Sequence, residues 1–134
     1  ADLQEFLNKI EYGNQTTSSN LDLYWSDFSL KISPLEQVTL LKKFNTNEFH
    51  LNSQNVFSVK NAIKIASTPN GNFYGKTGTG RVNGQDINGW FIGYVETSDN
   101  SYYFATNIQS DSNATGKKAF EITSDILKKL HIWN

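Results

Sequence analysis

The chain changes period once, at Thr68-Pro69-Asn70-Gly71, and that change limits what it can fold into. Before it, apolar residues recur at helical spacing; after it, stretches rich in Tyr, Phe, Trp, Ile, Val and Thr alternate with short turn signals. Leu3, Phe6, Leu7 and Ile10 predict an amphipathic helix over residues 2 to 10, stopped by Gly13. Residues 16 to 20, TTSSN, read as a polar loop. Ser33-Pro34-Leu35-Glu36 announces a second helix, with the serine as cap, proline at the first helical position and glutamate reaching back. Leu35, Val38 and Leu41 are expected to form its buried face, widened by Leu40 and Phe44. A third helix fits Ser53 to Ala66, with Val56, Val59, Ile63 and Ile65 inward.

Beyond the turn, residues 72 to 80, 89 to 97 and 101 to 109 predict three antiparallel strands, the last two joined by a hairpin at Ser98 to Ser101. Residues 109 to 116 form a polar loop, and Ala119, Ile122, Ile126 and Leu130 give a final helix its stripe. Helices, then strands, then a covering helix is an α+β pattern: residues 1 to 70 mainly helical, residues 71 to 134 sheet plus helix. The first helix opens at Ala1 without a cap, and a small sheet would carry an unpaired edge. We therefore expect residues 1 to 134 to be a single incomplete domain that does not fold stably without a preceding half.

Composition excludes several function classes. Twelve basic and thirteen acidic residues give a net charge of −1 with no dense Lys/Arg run, which argues against nucleic acid. No apolar run approaches the roughly 20 residues that cross a bilayer, so no membrane contact is expected from this segment itself. There is no cysteine, hence no disulfide and no thiolate chemistry. His50 and His131 stand far apart, with no acidic cluster at ligand spacing, so neither a metal nor a cofactor is expected. Asn14-Gln15-Thr16 and Asn113-Ala114-Thr115 fit the glycosylation pattern, a match this short being common by chance.

The stretch with most chemistry is Asn72 to Gly80, NFYGKTGTG. A phosphate-cradling loop needs G-x-x-x-x-G-K-[ST] opening a helix; here Gly71 to Gly75 is one residue short, and a glycine-broken strand end follows Lys76. The other reading is Lys-Thr-Gly on a strand lining an acyl-transfer site, one of the elements of penicillin-recognising serine enzymes. There Lys76 would attract a carboxylate and support proton movement, the Thr77 and Thr79 hydroxyls would bind that carboxylate, and Gly78 would let the ligand lie against the backbone. A strand N–H just after the glycine can face a developing oxyanion. A bare tripeptide could equally be a strand end with an exposed lysine.

The tripeptide is one member of an ordered series: Tyr12-Gly13-Asn14, Tyr24-Trp25, the run Ser29 to Val38, YGKTGTG, Gly89 to Glu96 (GWFIGYVE) and Tyr102 to Asn107 (YYFATN). The series resembles the C-terminal half of class D β-lactamases and, more closely, of the β-lactam sensor domains of BlaR/MecR-type signal transducers. VNGQDINGWFIGYVETSDNSYYFATN and ATGKKAFEITSDILKK look particularly sensor-like, and the resemblance runs from Asp2 to Ile132. It implies the penicillin-binding, serine β-lactamase fold, with Lys76, Thr77 and Gly78 as its K-T-G and Thr79 at the oxyanion position. It further implies that Tyr12 to Asn14 lie near the site and that the Trp25 indole faces the lysine of an S-x-x-K motif. Trp90 and Phe91 would form an aromatic wall on the next strand, though core packing explains them as well. The implied partner is a β-lactam antibiotic, and the implied setting is the outer side of a bacterial plasma membrane in an anchored receptor, or secretion if the protein is a hydrolase.

Two departures qualify the carry-over. No serine is followed three positions later by lysine, so the nucleophile is expected to precede Ala1. Many class D hydrolases place a carboxylate-binding arginine before the last helix, where this chain has Gly116-Lys117-Lys118; that leaves carboxylate binding to Thr77 and Thr79. In a sensor the acylated serine would persist as the signal, whereas in a class D β-lactamase, the alternative, water would free it.

Overall fold

The computed structural model describes residues 2–17 and 28–134. Its elements are α1 (Asp2–Lys9), α2 (Pro34–Asn45), α3 (Ser53–Ala62), β1 (Lys64–Thr68), β2 (Gly71–Val82), β3 (Gln85–Thr97), β4 (Ser101–Gln109) and α4 (Gly116–Lys129). The strands form one antiparallel sheet in the order β1-β2-β3-β4, which bears out the α+β class and corrects the strand count from three to four. The added strand comes from residues that periodicity assigned to the third helix. That helix stops at Ala62 with Ile63 as its C-cap, and Lys64–Thr68 folds back on Gly71–Tyr74. Branched Ile63 and Ile65 ahead of a Thr-Pro turn favour extended backbone, and Ile65 and Val59 are exposed.

Asn83 and Gly84 alone join β2 to β3, both at positive φ (50° and 75°). This is the primed-turn geometry that lets two right-twisted strands run on without splaying. β2 therefore continues through its glycines to Val82, and Arg81 pairs with Asp86 across the turn at 2.7 Å.

One face of the sheet carries the core. Phe73, Phe91, Val95, Ala119 and Leu127 are buried together, with Phe104, Phe120 and Trp133 packed against them. Phe91 meets Phe120 edge-on at 5.0 Å and Phe73 at 6.1 Å, an arrangement favoured by the ring quadrupoles. Full burial of one such side chain contributes about 1.5–3 kcal/mol.

α4 covers this face with Ala119, Thr123 and Leu127, not with the expected Ile122, Ile126 and Leu130, which are 38%, 48% and 61% exposed. Only Ala119 belongs to both stripes. Thr123 can be buried because its hydroxyl bonds Ala119 O at 2.8 Å and Thr106 Oγ1 at 2.6 Å. α2 departs from expectation in part: Leu40 and Leu41 face inward as expected, but Leu35 is 82% exposed and Gln37 is buried beside them. Its start is as read from the sequence. Ser33 Oγ accepts from Glu36 N, and the Glu36 carboxylate accepts from Ser33 N. That second bond, then the Ser33 side chain, holds the Glu36 carboxyl below its ordinary range.

In urea unfolding, Phe91→Ala is expected to cost about 3–5 kcal/mol and Ser33→Ala about 1 kcal/mol. Because the Glu36 pKa is lowered on folding, its contribution is present at neutral pH and lost on acidification. The stability gap between wild type and Glu36→Ala should therefore close as pH falls below about 4, and a gap that persists at pH 2 to 3, roughly, would rule this out.

Candidate functional site

β2 is paired with β3 along its whole length but with β1 only from Gly71 to Tyr74. The last contact on the β1 side is Gly75 N–H to Ile63 O at 2.8 Å. Backbone groups alternate direction along a strand, so the N–H and C=O of Thr77 and Thr79 point the same way as Gly75 N–H, toward an edge no strand of the described chain covers. Lys76 Nζ reaches that edge and bonds Thr77 O at 2.7 Å.

A cleft of about 790 Å3 opens here. Lys76 to Gly80 form one wall, with Asn88, Trp90, Ile92 and Gln109 from the neighbouring strands; Tyr12, Phe28, Leu30 to Ile32 and Gln37 face them. Alternation places Lys76 opposite Ile92 and Gly78 opposite Trp90 on one face of the sheet, and Thr77 opposite Phe91 on the other. The threonines lie under the start of α4, where Gly116 N–H bonds Thr79 Oγ1 at 2.9 Å. A side chain added at Gly78 would meet nothing nearer than Trp90 Cβ at 3.8 Å, so the space over this glycine is free for a ligand.

The structure thus brings Lys76, Thr77, Gly78, Thr79, Trp90 and Tyr12 to one cleft. Phe91 is 1% exposed and belongs to the core. Asn14 does not line the cleft: its Nδ2 donates to Ser29 O (2.8 Å), its Oδ1 accepts from Lys31 N (3.0 Å), and its own N–H bonds Lys31 O (2.9 Å). It holds the segment that carries Leu30 to Ile32 against the strand. Trp25 lies outside the described residues. Below Lys76 on the same face, Tyr74 stacks on Tyr94 at 4.7 Å; burial, then Glu96, raises both phenols, so this floor stays neutral. Among the described residues no cluster suited to a metal ion occurs and no helix is long and apolar enough to cross a membrane.

Sequence reading missed Gln37, Phe28, Asn88 and Gln109 as lining residues. Gln37 could have been found as the polar member of the true inner face of α2, with Leu40 and Leu41. Phe28, at φ 63°, with its ring against Gly80, carries no local signal.

A cleft bounded by a strand edge with outward N–H groups, an ammonium and two hydroxyls is built to hold a carbonyl and an anion together, the requirement of acyl transfer. This chain belongs to the penicillin-binding protein transpeptidase domain family, whose model it matches over residues 1–128. It is 44% identical over 131 residues to the methicillin resistance MecR1 protein of Staphylococcus aureus, covering 98% of this chain and 22% of that protein. The C-terminal domain of the Bacillus licheniformis BlaR penicillin-receptor superimposes with a TM-score of 0.92 at 46% identity, covering 98% of this chain and 53% of that one. A class D β-lactamase from Bacillus subtilis follows at TM-score 0.89 and 36% identity, with the same coverage. The chain therefore spans about half of the solved domains it matches and less of the MecR1 protein.

The clamp made by Asn14 is open to direct measurement. Asn14→Ala should speed hydrogen exchange at the Lys31 amide roughly fivefold, as expected for losing about 1 kcal/mol of hydrogen bonding, while Asn14→Asp retains the acceptor and the protection. Unchanged exchange in the alanine variant would mean that the segment is held by other contacts.

Proposed function

We propose that this chain is the C-terminal half of a β-lactam sensor domain, completed by a preceding half that carries the nucleophilic serine. The observation that carries the reading is the Lys76-Thr77-Gly78-Thr79 run on the uncovered edge of β2, facing a cleft of ligand size. In the proposed reaction the serine oxygen attacks the β-lactam carbonyl. The carbonyl C–N bond breaks, the ring nitrogen takes up a proton, and the drug remains as an ester on the serine. The Thr79 N–H stabilises the oxyanion, a contribution worth roughly 3 kcal/mol or more per donor in comparable sites. Lys76 supports the proton movement, Thr77 and Thr79 hydroxyls receive the carboxylate, and Trp90 and Tyr12 bound the ligand.

Higher identity to the MecR1 protein and the BlaR receptor than to the class D β-lactamase supports a sensor over a hydrolase. In a sensor the ester persists and its formation is the signal, on the outer side of the membrane that anchors the receptor. Hydrolysis is the second reading, supported by the lactamase similarity. A difference of about 1.4 kcal/mol in the deacylation barrier already changes the rate tenfold.

Intact mass after benzylpenicillin treatment tests this, on the present chain and on the chain extended by its preceding sequence. A lasting penicilloyl adduct on the extended protein alone is the expected result. Rapid adduct loss with turnover would make it a β-lactamase, and absence of an adduct on either would overturn β-lactam binding.

A further inference from the structure

Gly116 is the first residue of α4, and its amide is one of those at a helix start that no carbonyl of the helix can satisfy. The cap residue Thr115 takes the Lys118 amide, at 3.1 Å. The Gly116 amide instead crosses to the sheet and donates to Thr79 Oγ1 at 2.9 Å. The approach needs glycine: a Cβ here would stand 2.7 Å from Gly78 O and 2.9 Å from Thr77 Cβ, both part of the same strand.

We propose that Gly116 is a positioning residue that fixes the Thr79 hydroxyl as a hydrogen-bond donor to the substrate's carboxylate. A threonine oxygen offers one proton and two lone pairs. With one lone pair engaged by Gly116 N–H, the proton is excluded from the helix side and is directed elsewhere. Accepting a bond also polarises the O–H and strengthens it as a donor. A hydroxyl free to rotate would have to be ordered by each incoming ligand; this one is ordered beforehand. The inference rests on the β-lactam reading and adds to it the origin of carboxylate selectivity, in a backbone group of a different element.

The test compares acylation of the complete penicillin-binding domain by benzylpenicillin and by its neutral methyl ester, followed by intact mass. Gly116→Ala must move the helix start off β2, and should slow acylation by the acid roughly tenfold or more, the scale of a charge-assisted hydrogen bond, with less than about twofold change for the ester. Thr79→Val should show the same acid-selective loss and Thr79→Ser should not, and Gly116→Ala added to Thr79→Val should change the acid-to-ester ratio no further. Equal losses for acid and ester, no loss, or a further change of ratio in the double variant would overturn the proposal. If Gly116→Ala does not fold, the Thr79→Val and Thr79→Ser pair decides by the same ratio. Wild-type domain acylated by neither probe would instead remove the β-lactam reading itself, and this inference with it.

Discussion

The cleft depends on a strand that is held unequally by its two neighbours. β3 holds β2 from Gly71 to Val82, which fixes the direction of every peptide group along it. β1 holds only Gly71 to Tyr74, which leaves the groups of Thr77 and Thr79 without a partner strand in the described chain. An exposed strand edge is ordinarily a hazard, since any extended peptide can pair with it. Lys76 places charge along this one, which discourages a second chain while leaving the Gly78 position open to a small ligand.

The strand wall of the cleft and the walls facing it are organised on different principles. The strand presents groups already fixed by sheet register, so little needs to be ordered when a ligand arrives. The opposite side is an irregular segment, and its position comes from side chain to backbone bonds: a single asparagine amide is engaged at both ends to hold Ser29 and Lys31. A residue of the Y-G-N turn thus shapes the cleft without lining it.

How much of this was legible in the sequence differs by element. The capping box at Ser33 and Glu36 is a local signal with a local cause, and it gave the start of α2 correctly. Which face of a helix lies inward is a tertiary question: α4 buries Thr123 and exposes Ile126 because Thr106 on β4 is there to bond the hydroxyl, and hydropathy cannot see that. β1 was lost to helical periodicity because a short run of branched residues fits either pattern until its partner strand is known. At the site, Lys76 to Thr79 were readable because their chemistry is concentrated in one run. Phe28 and Gln109 were not, since they meet the cleft only through the fold.

The bond from Gly75 N–H to Ile63 O marks where β1 stops covering β2, and it acts as a ruler. Strand residues expose their outward amides at every second position, so a junction between α3 and β1 lengthened by one pairing step would cover Thr77, and by two would cover Thr79. Insertions or deletions near Ile63 would therefore rescale the length of edge available to a ligand while leaving every cleft-lining residue unaltered. Diversity in ligand size can arise in such a fold from a helix-to-strand junction outside the Lys-Thr-Gly run.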